Sequence, residues 1–171
     1  VVELSNTVSK EGLLQRGKQI FDEVLAGRFE LQWCKLVLQD KAGNKLELAV
    51  SCDALRMPVR TATTEGETVE DPRTRITVDA FTQQEIADHL GALLLTPKLV
   101  DQIYLASTKL TPSTRGFDTK MASAAEMIRH SQDVDRKIMA KGSEAGPLYS
   151  NVGKDWVIAK VIFQPSKVAA N

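Results

Sequence analysis

The sequence predicts an α+β fold, a small and largely antiparallel sheet packed with about four helices, a central helical hairpin among them. Three observations predict it. Residues 78–107 carry two consecutive helix-start signals with apolar helical periodicity. Leu31–Gln39 and Lys45–Cys52 alternate apolar and polar residues around Asp40-Lys41-Ala42-Gly43-Asn44. A long amphipathic pattern then runs up to Gly142.

The central stretch is the most legible. Thr82-Gln83-Gln84-Glu85 has the form of a capping box, and Phe81 and Ile86 flank it as a hydrophobic staple. Ile86, Ala87 and Leu90 share one helical face, and Gly91 supplies a left-handed stop. Leu93-Leu94-Leu95 links this helix to a second, with Thr96 as N-cap and Pro97 at its first position. Leu99, Val100, Ile103 and Tyr104 form its apolar side. The three link leucines, Leu99 and Ile103 are therefore expected to be buried.

In chain order, Ser9 caps a first helix reaching about Leu25, with Leu13, Leu14, Ile20, Phe21 and Val24 on its apolar side and Gly27 ending it. In the two strands that follow, Cys34, Leu36 and Leu38 share a face, as do Leu46, Leu48, Val50 and Cys52. Opposed residues of a hairpin share a face, so even positions pair with even positions. Pairing Leu36 with Val50 and Leu38 with Leu48 sets Cys34 opposite Cys52, within disulfide range, across a three-residue loop with left-handed Gly43 or Asn44. Two buried thiols that are merely neighbours are the alternative. Pro58–Thr74 holds almost nothing apolar and is expected to be a long mobile loop, and Arg75–Val78 a short strand. A Pro- and Gly-broken connection precedes the longest helix, which starts at Asp118 or Thr119 and buries Met121, Ala124, Met127, Ile128, Val134 and Ile138. Trp156–Phe163, apolar on both faces apart from Lys160, is expected to be an interior strand.

The chain of 171 residues fits one domain, 1–171, or a piece of a longer protein, since it begins with Val1. Hydrophobic residues at 43% suffice for a core, and 22 basic against 22 acidic residues leave no overall field to draw in nucleic acid. No apolar run reaches a membrane span.

Few residues offer chemistry. Thr82 to Gly91 is like the opening helix of a helix-turn-helix, but the second helix presents only Lys98, Asp101 and Gln102, and Asp101 would face phosphate. Nucleic acid is therefore not an expected partner. The two histidines, His89 and His130, come with no third ligand at metal-site spacing, so no metal and no cofactor is expected. Cys34 and Cys52 lie in apolar strands, where a thiolate is costly. Val152-Gly153-Lys154-Asp155-Trp156 places a cation, a carboxylate and an indole at a strand entrance, suited either to lining a cleft or to a plain turn with an exposed ion pair.

Leu95-Thr96-Pro97-Lys98-Leu99-Val100-Asp101-Gln102-Ile103-Tyr104, the helix holding Arg129-His130, and residues 150–163 together resemble an uncharacterised group of bacterial proteins, many of them exported. The likeness runs from about Glu11 to Asn171 and rests on motif order. In that group the counterpart of 167–171 is followed by Tyr-Gly-Trp-His, a further His and an Asp-Tyr-Ser segment, and this chain stops where they begin. The resemblance implies that Thr96, Pro97, Lys98, Asp101, His130, Gly153, Lys154 and Trp156 are the matching positions. Two functions follow as expectations. One is a non-catalytic structural or interaction protein, favoured because no nucleophile–base pair is visible. The other is an exported or phage-associated hydrolase of cell-wall or other polymer. In that case His130, Lys154 and Asp155 are catalytic, Lys98, Asp101 and Trp156 bind, and a C-terminal segment or a partner chain completes the site.

Overall fold

The computed structural model describes residues 1–111, 123–142 and 146–150. Among these the order is β1 (Val2–Glu3), α1 (Lys10–Leu25), β2 (Trp33–Gln39), β3 (Lys45–Ser51), β4 (Arg56–Ala62), β5 (Thr68–Arg75), α2 (Ala80–His89), α3 (Pro97–Ala106), β6 (Thr108–Lys109), α4 (Ala124–Lys141) and β7 (Tyr149–Ser150). This is the α+β class. No helix among the described residues is long and apolar enough to cross a membrane.

Two apolar clusters hold the fold. The larger joins Leu4, Ile20, Val24, Met57, Val59, Ile76, Ile86, Ala124, Met127 and Ile128, bringing α1, α2 and α4 onto the sheet of order β1-β4-β5. The smaller has Leu36, Val50 and Leu148 at its centre, between the β2–β3 hairpin, Ile103 of α3 and the segment before β7. The two helices expected to form a hairpin thus serve different clusters. No residue of α3 is buried, Leu93 is 85% exposed, and Leu94, Leu95, Leu99 and Ile103 are only half-buried. Of its apolar stripe, Ile103 packs against the β2–β3 hairpin cluster.

Residues 58–74 are no mobile loop. They form most of the antiparallel β4–β5 hairpin, turning at Gly66 with φ +82°. Its inward positions are filled by Val59, Thr61, Asp71 and Thr74, so β-branched threonines and a bonded carboxylate do the packing expected of aliphatic residues. Pro58 falls at the register shift between Met57 and Val59, where no ladder bond is lost. Arg75, expected to begin a separate strand, ends β5.

Helix α1 has the expected bounds. Ser9 accepts from the Gly12 N–H, and Gly27 closes the helix at φ +71°. Its buried face is rotated, however, to Gly12, Arg16, Gly17, Ile20 and Val24, which leaves Leu13 and Leu14 outside. Gly17 decides this, because α2 crosses it closely enough that a Cβ there would lie 2.6 Å from Thr82 Oγ1. At an exposed helix position Gly→Ala stabilises by about 1 kcal/mol. Gly17→Ala is instead expected to lower the denaturation midpoint, and a raised midpoint would show that the α1–α2 contact yields freely.

Helix α2 begins three residues earlier than the capping-box reading requires. Asp79, not Thr82, is the N-cap, accepting from the Phe81 and Thr82 N–H groups, while the Thr82 hydroxyl donates to its other oxygen at 2.7 Å. Thr82 is buried inside the first turn, and Phe81 lies in solvent rather than stapling Ile86. Gly91 ends the helix at φ +64°, as expected. Thr96 and Pro97 open α3 as expected. α4 starts at Ser123, whose hydroxyl accepts from Glu126 N–H, and Asn6 adds a second cap on Ala125 N–H. Ala124, Met127, Ile128 and Val134 are buried, and Ile138 is half-buried. Met121, the expected helix start at 118–119 and the strand Trp156–Phe163 lie outside the described residues.

Candidate functional site

Two features gather functional groups, an ion cluster inside the fold and the β2–β3 hairpin at its side. The cluster sits where β5 meets α4. The Arg75 side chain, 7% exposed, donates from Nε to Asp53 Oδ1 at 2.8 Å and from Nη2 to Asp53 Oδ2 at 2.7 Å, and Nη2 also lies 2.9 Å from Asp135 Oδ1. Its Nη1 donates to the Ser131 carbonyl, and its backbone N–H to the Ser131 hydroxyl, both at 2.9 Å. Arg56 joins through Nη2, 2.6 Å from Asp53 Oδ2 and 3.0 Å from Asp135 Oδ1. Two guanidiniums and two carboxylates therefore close on one another. Burial by itself would raise the Asp53 carboxyl, but hydrogen bonds from Arg75 and then Arg56 outweigh it and hold the group below its ordinary range. Burial likewise opposes the charge on Arg56, and its bond to Asp53 reverses this and raises it.

Beside the cluster a small cleft is lined by Glu30, Gln32, Asp53, Ala54, Arg56 and Arg73. Its charges are already matched, Arg73 to Glu30 at 3.0 Å and Arg56 to Asp53. Such a set binds β4, β5 and α4 together, and gives a substrate little to displace.

The expected catalytic grouping is not assembled among the described residues. His130 is half-buried on α4, one residue before Ser131. Lys154, Asp155 and Trp156 lie outside the described residues. Lys98 and Asp101 are exposed on α3, and the charges they present there are of opposite sign. Among the described residues no group of three or more His, Cys, Asp or Glu could hold a metal ion. The ion cluster leaves little local trace in the sequence because its bonded partners are 3 to 79 residues apart. The only local signal was Asp53 three residues before Arg56 at a strand entrance.

Cys34 and Cys52 are joined by a disulfide, Cα–Cα 5.4 Å, as the even-to-even pairing implies. The register differs by two from the expected one. Leu36 opposes Leu48, Leu38 opposes Leu46, and Cys34 opposes Val50, so the bond runs diagonally. The turn sets this register, with Asp40 N–H bonding Asn44 O at 3.0 Å and Gly43 left-handed at φ +88°. The Asp40 carboxylate accepts from the Asn44 side chain and from the Asn44 and Ala42 N–H groups, bonds that hold it below its ordinary range.

That register fixes the chemistry of the hairpin's outer edge. The bonds Asp40 N–H to Asn44 O and Cys52 N–H to Gln32 O make the even positions the bonded pairs. The N–H and C=O groups of Trp33, Lys35, Val37 and Gln39 consequently point away from β3. No described strand pairs with that edge. Trp33 and Val37 are 50% and 46% exposed on the outer face, where Lys35 is neutralised by Glu47 at 2.7 Å. No protein-family model, curated protein or solved structure matches the chain.

Proposed function

We propose that this is a non-catalytic interaction protein that takes an extended, mostly uncharged segment of a partner onto the outer edge of β2. The carrying observation is that edge, seven residues long, regular in register and locally neutral. Edges exposed in this way are normally blunted by charges, prolines or bulges. The other sheet carries Pro58, Pro72 and a register shift, and β3 carries Lys45 and Glu47. On β2 the one charge, Lys35, is paired within the hairpin. An added strand would bond main chain to main chain, with Trp33 and Val37 packing its side chains. The disulfide supports an oxidising setting, in keeping with export.

Val37→Pro tests the reading, because it removes one edge N–H that makes no bond to β3 and suits an edge strand. The probe is a short synthetic peptide of alternating valine and threonine, titrated into the labelled protein. Its binding is expected to shift and protect the Trp33, Lys35, Val37 and Gln39 amides, and Val37→Pro to abolish it with melting temperature unchanged. Perturbation elsewhere, or equal binding by the variant, would overturn it.

A further inference from the structure

The β2–β3 hairpin has little core of its own. Among the described residues its cluster has three that are buried, Leu36, Val50 and Leu148, against ten in the main core, and an isolated two-stranded hairpin is marginal in water. The disulfide closes the end opposite the turn, with a sequence separation of 18. It also reaches the cover. Cys34 Sγ lies 3.6 Å from the Pro147 carbonyl oxygen, and the Cys52 carbonyl accepts from Tyr149 N–H at 3.3 Å. One residue further on, Asp53 is clamped by Arg75 and Arg56. Disorder starting in the hairpin therefore stops at the ion cluster before it reaches β4 and the main core.

We infer that the Cys34–Cys52 disulfide is a redox switch for local order, so that its reduction unfolds the β2–β3 hairpin together with its Leu148 cover while the main core stays folded. Cys34 is partly exposed and Cys52 is buried, which directs a thiolate to the Cys34 sulfur. That attack breaks the S–S bond, forms a mixed disulfide at Cys34 and releases Cys52 as the leaving thiolate, which takes up a proton. The second thiol of a dithiol reductant then displaces Cys34. Two protein thiols are formed and the reductant leaves as its own disulfide, a two-electron exchange that balances. Where the edge reading holds, the same event removes the partner's template, but the switch rests on the hairpin's construction alone.

Amide hydrogen exchange of the whole chain, with and without dithiothreitol, tests it. In the reduced protein the bonded amides of Cys34, Leu36, Leu38, Leu46, Leu48 and Val50 are expected to exchange on the order of 100-fold faster, the loop-closure effect of a bond of this span. The α4 amides and those shared by β4 and β5 are expected to keep their rates. Cys34→Ser/Cys52→Ser should reproduce the reduced pattern and ignore dithiothreitol. Unchanged hairpin rates after complete reduction would overturn the inference, and so would equal acceleration of α4. Failure of the peptide titration with the exchange pattern intact would count against the edge reading only.

Discussion

Asp53→Asn is expected to cost about 3 kcal/mol of folding stability, a large fraction of a domain's total. The Arg75 and Arg56 side chains are 7% and 13% exposed, and each loses its closest carboxylate oxygen. Asp135 still touches both guanidiniums, at 2.9 and 3.0 Å, which places the loss at the lower end of the range for breaking a buried pair. Urea denaturation checks it, in a cycle with Arg75→Met. Additive losses in the double variant would show that the two side chains do not act as a unit. The pH dependence has a definite sign. The folded-state carboxyl lies below its unfolded value of about 3.9, so its contribution is complete above that pH and is lost as pH falls through the folded value. The gap between wild type and Asp53→Asn should therefore close only below about pH 4.

Ile128→Ala should be comparably damaging, at about 2–5 kcal/mol, because Ile128 is fully buried where α4 lies on β5. The two Arg75–Ser131 hydrogen bonds pin α4 to the sheet, so the wall of the resulting cavity cannot easily collapse. Leu14→Ala is the matched control, since Leu14 is equally apolar and was expected to be buried. It is 56% exposed, and its loss should stay within about 0.5 kcal/mol. Thermal or chemical denaturation of the two variants checks both values, and a large loss at Leu14 would mean that α1 buries a face other than Gly17's.

What local chemistry controls was legible in the residues alone. Ser9, Thr96 and Pro97 begin helices where expected, and Gly27, Gly91 and Gly142 end them, because capping bonds and left-handed backbone are settled within a turn. Strand alternation put Cys34 and Cys52 on one face and left open whether they bond or are merely neighbours; the structure joins them, in a register two residues from the expected one. Tertiary structure alone decided which side of each element is covered. Gly17 turned α1 toward α2, and the apolar stripe of α3 is only half-buried. Threonines became core in β4 and β5, where composition had suggested a loop. The ion cluster is the extreme case. Asp53, Arg56, Arg75 and Asp135 are ordinary charged residues in one dimension, and they meet only because α4 lies across the end of β5. A pairing energy between groups so far apart in sequence leaves no periodic trace in the chain, whereas a cap or a strand face does.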